Sequence, residues 1–134
     1  MNTTHNAIIE ALVKSRVLLT PPENFTIGAY ARTITGIPVP AHDDGASCFC
    51  MLGAILHVIG PNCEMPACGT PDPLYGEVVQ QLIIQLRTVT VNHDGPHSSI
   101  AMYSDSSSHA EVMALFDSTI TRLKADVVSN DLVV

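Results

Sequence analysis

The chain of 134 residues carries 13 acidic and six basic residues, a net charge of −7, and no tryptophan. That length supports one domain with a real hydrophobic core, and a mean hydropathy of +0.27 with few aromatics means the core is built mainly from Val, Ile, Leu, Ala and Met. Six scattered Lys and Arg residues exclude the phosphate backbone of a nucleic acid as partner, which needs clustered cations, and the acidic residues are too dispersed to imitate DNA.

No basic region followed by an apolar run stands at the N-terminus, so no signal peptide is expected. Four cysteines without an export signal point to a reducing cytoplasm and free thiols. Thr3 or Thr4 can cap a first helix running to about Leu18, with Ile8, Ile9, Leu12, Val13 and Val17 on one face and Glu10, Lys14 and Arg16 mostly off it. Thr20-Pro21-Pro22 ends it, because the residue before a proline avoids helical angles.

Phe25–Pro40 changes character. Phe25, Ile27, Tyr30, Thr33, Ile34, Thr35, Ile37 and Val39 are β-branched or aromatic, and Gly36 separates two such runs. This predicts a short hairpin, or two extended segments, turning near Thr35-Gly36. Pro38 and Pro40 confine the second arm to an edge. Ala41–Gly45 reads as a polar loop.

Ala46–Gly60 is the longest apolar run and has no charge along its length. Met51, Leu52, Ala54 and Leu56 are good helix formers. Asp43, Asp44 or Ser47 can cap the start, and Gly60-Pro61 is a stop. The run predicts a central buried helix on which Gly53 and Ala54 form a smooth face for another helix. It falls short of the ~18–20 residues that cross a bilayer, so no membrane span is expected.

Asn62–Pro73 is a flexible loop rich in Pro, Gly and Cys. Leu74–Thr90 reads as helix, with Val78, Leu82, Ile83 and Leu86 at spacings of three and four. Asn92–Ser99 is again loop, with a turn at Asp94-Gly95-Pro96. Ser108-His109-Ala110-Glu111 fits a capping box. It opens a last helix whose stripe is Val112, Leu115, Phe116, Thr119, Ile120 and Leu123, with Asp117, Arg122, Lys124 and Asp126 facing water. The tail 127–134 docks on the core, pairs with another copy or stays disordered. The expected fold is mainly α: a small helical bundle of four main helices around a central apolar helix, with one short β-hairpin, as a single domain over 1–134.

Several residues carry possible chemistry. Cys48, Cys50, Cys63 and Cys68 are the right donors for a structural zinc. Their Cys-x-Cys and Cys-x4-Cys spacings are not those of paired zinc knuckles, so buried inert thiols are the first reading. A Cys63–Cys68 disulfide is another, and no cofactor is expected. Cys50, near a helix start, is where a nucleophilic thiolate is found, but nothing local pairs it with His93, His97 or His109. His93, Asp94 and His97 share one loop and offer a divalent-metal site, against the plainer reading of surface histidines in a turn. His57 reads as a hydrogen-bonded core histidine. No phosphate loop, nucleophile elbow or zinc-protease helix motif is present.

Three segments taken in order add a resemblance: Gly28-Ala29-Tyr30-Ala31-Arg32 followed by Gly36; Cys50-Met51-Leu52-Gly53-Ala54-Ile55; and Tyr103-Ser104-Asp105 leading into His109-Ala110-Glu111-Val112-Met113-Ala114-Leu115-Phe116-Asp117. The set resembles an uncharacterised family of small bacterial and phage proteins, domain of unknown function 6197 (DUF6197). The family carries an aromatic-Asn-Asp triplet where this chain has Tyr103-Ser104-Asp105, and a Trp near Phe25 or Phe49. The resemblance implies a compact, cytoplasmic, mainly helical domain with no established activity.

Tyr30, Arg32, Asp105 and Asp117 are the polar residues within these motifs. Arg32 pairing with Asp105 or Asp117 would fasten the extended segment to the last helix; the sharper reading is a small polar binding pocket. The function expected first is a non-catalytic binding or regulatory protein, phage- or mobile-element-encoded as the resemblance suggests. It would act by occluding a host or defence protein, with self-association also open. A small enzyme or ligand-sequestering protein using Arg32, Cys50 and Asp105 comes second, and a zinc-stabilised module third.

Overall fold

The computed structural model describes residues 2–59, 73–89 and 100–133. Among these residues five α-helices, α1 (Asn2–Leu19), α2 (Met51–Ile59), α3 (Pro73–Val89), α4 (Ile100–Ser106) and α5 (His109–Val133), accompany a sheet of β1 (Ala31–Arg32), β2 (Pro38–Val39) and β3 (Cys48–Phe49). The fold is therefore mainly α with minor β. Cys63, Cys68, His93, His97 and most of the 62–73 loop lie outside the described residues, as does the 92–99 loop.

Helix α1 packs chiefly against α5 and α2. It begins at Asn2, so Thr3 and Thr4 lie within it and are not its caps. Its buried face is Ile8, Ala11, Leu12, Ser15 and Leu19, whereas Val17 is 63% exposed. The expected stripe was thus rotated. Small Ala11 and Ser15 occupy the covered side, and the Ser15 hydroxyl meets its need locally by donating to the Ala11 carbonyl at 2.8 Å. The last carbonyls of α1 are satisfied from outside: Asn24 Nδ2 donates to Leu18 O at 2.9 Å and His109 Nε2–H to Leu19 O at 2.7 Å.

The hairpin forms where expected. β1 and β2 pair antiparallel with Ala31 opposite Val39 and Arg32 opposite Pro38, and Gly36 takes φ +91° in the turn between them. Proline on β2 is tolerated because the sheet order β2-β1-β3 leaves that strand at an edge.

The third strand was not expected. Apolar character alone places residues 46–50 in the central helix, but Cys48 and Phe49 pair with Arg32 and Ala31. The Ser47 N–H donates to Arg32 O at 2.8 Å and the Cys50 N–H to Tyr30 O at 3.2 Å. The free edge of β1 satisfies the main chain of this segment, and no local signal announces that edge.

Helix α2 is accordingly nine residues long, with Met51, Gly53, Ala54 and Ile55 buried. Its cap is none of Asp43, Asp44 or Ser47. Asp43 Oδ1 instead accepts the Gly45 N–H at 2.7 Å, closing a turn. Cys50 holds the capping position: its carbonyl accepts from the Ala54 N–H at 2.9 Å and its Sγ from the Gly53 N–H at 3.3 Å.

Helix α5 starts with the reciprocal bonds of a capping box, Ser108 N–H to Glu111 Oε1 at 2.8 Å and Glu111 N–H to Ser108 Oγ at 3.1 Å. Val112, Leu115, Phe116, Thr119, Ile120 and Leu123 are all buried, as their spacing requires. Two residues expected to face water do more. Arg122 Nε donates to Gln85 Oε1 at 2.8 Å and its Nη2 to Gln81 O at 3.0 Å, which ties α5 to α3. Asp117 pairs with Arg16 of α1. The helix also continues through most of the supposed tail 127–134, to Val133. Helix α4 was missed: seven residues are too few for a periodic pattern to declare itself.

All five helices, β1 and β3 contribute to one core. Among the described residues, no helix is long and apolar enough to cross a membrane.

Candidate functional site

A cleft of about 650 Å³ opens between the segment 28–30, the edge Pro38–Pro40, Cys50 and Leu52 at the start of α2, and Asp105 of α4. Four features of the chain shape it.

Gly28 takes φ +82°, and its N–H donates to Asp105 Oδ1 at 3.0 Å. This bond joins the extended segment to α4. The fastening to the last helix expected of Arg32 is not made; the segment is tied to α4 instead, and by other atoms. Arg32 pairs with neither Asp105 nor Asp117. Its Nη1 donates to Gly36 O at 3.1 Å and its Nη2 to Ile27 O at 3.2 Å, so the guanidinium bridges the loops flanking β1. Asp117 lies elsewhere, where Arg16 grips it through Nε and, at 3.1 Å, through Nη2. Both partners are substantially exposed, so this pair contributes little to stability.

Gly53 makes the close approach possible. A Cβ built there would lie 1.8 Å from Tyr30 O and 2.7 Å from Tyr30 C. At Gly53 the smooth face of α2 is thus met by the main chain at Tyr30.

Ser104 is fully buried, and its Oγ accepts the Met51 N–H at 3.2 Å, so α4 caps α2 across the fold. Ser104→Ala leaves that buried N–H without its acceptor and is expected to cost about 1–2 kcal/mol, read as a lower urea midpoint. An unchanged midpoint would show that the bond contributes nothing.

Cys50 lines the cleft with its side chain buried. Burial pushes its thiol pKa up, and the amides of Gly53 and Leu52 offset this only in part. The thiol is therefore protonated at neutral pH, which does not favour the nucleophile reading. Tyr75, near Tyr30 and Cys50, has its phenol pushed up to about 12, first by burial and then by those neighbours. Among the described residues that line the cleft, Asp105 is the one formal charge.

The remaining candidates disperse. Cys48 lies in β3, its Sγ–H 3.8 Å from Arg32 O. Among the described residues no three His, Cys, Asp or Glu side chains gather as metal ligands. His57 is exposed rather than a core histidine. From the last turn of α2 its Nδ1–H donates to Ala41 O at 2.8 Å, and its ring covers Phe49 at a centroid distance of 4.8 Å. It staples a loop down instead of filling the interior.

One surface feature had no sequence signal. Among the described residues, six large apolar side chains are exposed, and four of them, Ile27 (47%), Tyr30 (52%), Ile34 (88%) and Ile37 (59%), belong to the hairpin and the segment leading into it. Residue type marked them as strand formers. Which of their faces stays uncovered depends on what packs against the sheet.

No curated protein and no solved structure matches the chain. The profile of a family of unknown function, DUF6197, matches residues 3–122, from the first turn of α1 into α5 and across all four segments that line the cleft, and the chain belongs to that family.

Proposed function

We propose that this is a non-catalytic binding protein that regulates a protein partner by covering it. A phage or mobile-element origin, working in a host cytoplasm, makes a host or defence protein the natural target. The observation that carries the reading is the concentration of exposed Ile27, Tyr30, Ile34 and Ile37 on one short stretch of chain, of which Tyr30 also lines the cleft. Isolated exposed apolar residues need no explanation, but a concentration of them points to an interaction surface. Tyrosine is also enriched at the centres of such surfaces. Against an enzyme stand the protonated Cys50 and the use of the Arg32 guanidinium on main-chain carbonyls.

The test compares the wild-type chain with an Ile34→Asp/Ile37→Asp variant in capture from a lysate of the source cell or its host. Both isoleucines are exposed, so the variant is expected to melt with the wild type, within about 0.5 kcal/mol. A protein retained by the wild type and lost by the variant supports the reading. Identical capture by both chains, or no capture by either, overturns it.

A further inference from the structure

We propose that the cleft receives one lysine or arginine side chain of the protein partner, its methylene stem along the Pro38–Val39 edge and Leu52 and its cationic head at the Asp105 carboxylate. The inference rests on the reading of the hairpin as a protein contact and specifies the residue that enters beside it.

Charge and shape both point this way. The cleft, about 650 Å³, is large enough for a long side chain with part of its backbone, and among the described residues Asp105 is the only formal charge on its wall. The Gly28 N–H holds Oδ1, which fixes the direction of the carboxylate. Among the described residues no ion pair neutralises it: Lys14 pairs with Glu10 and Arg16 with Asp117, while Arg32 is committed to Ile27 O and Gly36 O. An anionic ligand would meet Asp105 as a like charge. A purely apolar one would strip water from the carboxylate without replacing it, which is unfavourable.

A long aliphatic stem ending in a cation satisfies both halves of the cleft at once. Tyr30, half-exposed and lining the same cleft, adds an aromatic ring that favours a cation. The net charge of −7 steers basic partners toward the surface.

The test is an amide NMR titration of the full chain with Nα-acetyl-lysine methylamide at millimolar concentration, beside the norleucine and glutamate counterparts. The lysine probe is expected to shift Gly28, Tyr30 and Asp105, the norleucine probe to bind at least about threefold more weakly, and the glutamate probe to leave these amides unmoved. Asp105→Asn keeps an amide oxygen for the Gly28 N–H and removes only the charge. It should weaken the lysine probe about three- to fivefold, the range of a solvent-accessible ion pair, and leave norleucine unchanged. Equal binding of lysine and norleucine, an unaffected Asp105→Asn variant, or shifts that map elsewhere or are absent would overturn the proposal. If Ile34→Asp/Ile37→Asp loses the captured partner while Asp105→Asn retains it in full, the hairpin contact stands and the basic-residue site falls.

Discussion

Gly53→Ala is expected to destabilise the protein by about 3 kcal/mol or more, although alanine is the better helix former by about 1 kcal/mol. Gly53 lies within α2, where helix propensity alone favours the substitution. The added methyl would sit 1.8 Å from Tyr30 O, and that oxygen belongs to main chain and not to a side chain that can swing away. Tyr30 O also accepts the Cys50 N–H, so pushing it back breaks the bond that docks β1 beside the start of α2. The segment cannot retreat alone, because Gly28 is tied to Asp105 and Ala31 is paired with both Val39 and Phe49. The measurement is urea unfolding followed by circular dichroism. A midpoint equal to or above that of the wild type would refute the close contact. The same substitution should also shift the amides around the cleft, because Tyr30 and Cys50 line it.

The second large effect is a contrast within one helix. Leu12→Ala is expected to cost roughly 2–5 kcal/mol, and Val17→Ala to stay within about 0.5 kcal/mol. Leu12 is fully buried, on the helix that packs against α5 and α2. Truncating it leaves a void among side chains that cannot all collapse inward. Val17 is 63% exposed and has little burial to lose. Thermal or urea melts of the two variants decide the matter. Similar losses for both would mean that the apolar stripe read from spacing, with Val17 on the buried face, is the real one.

That contrast shows where sequence reading reaches its limit. Spacing found α1 but misjudged its rotation. Ile8 and Leu12 are common to both faces, and Ala11 and Ser15 carry too little hydropathy to announce that they are covered. On α5 the same method succeeds, because a capping box fixes the start and large apolar residues occupy every buried position. The hairpin turn was legible because Gly36 supplies a positive φ that few other residues tolerate. Helix α4 and strand β3 were not legible, since both are short. One contributes the Ser104 hydroxyl to Met51 and the other takes the open edge of β1.

The candidate site divides along the same line. Tyr30, Cys50 and Asp105 were named from the motifs and do line the cleft, while Arg32 and Asp117 do not. A guanidinium and two carboxylates suggest an ion pair by type. The acceptors Arg32 uses are the carbonyls of Ile27 and Gly36, and the donor Asp105 uses is the Gly28 N–H. Main-chain groups are present at every residue, so composition cannot say which of them a charged side chain will choose.

What the amino-acid order determined by itself is the set of local decisions: the mainly helical character, the capped start of α5, the stop of α1 before its prolines, the Gly36 turn and the apolar stretch that becomes α2. These depend on neighbours within about one helical turn, where side-chain type and backbone preference act directly. Only the tertiary structure decided where α2 begins, which face of α1 is covered, and that Gly28, Tyr30, Cys50 and Asp105 enclose one cleft. Those outcomes turn on contacts between distant residues, such as Gly28 with Asp105, 77 positions apart, and Leu19 with His109, 90 apart. Distant main chains must meet before their hydrogen bonds exist, and no local preference encodes that meeting.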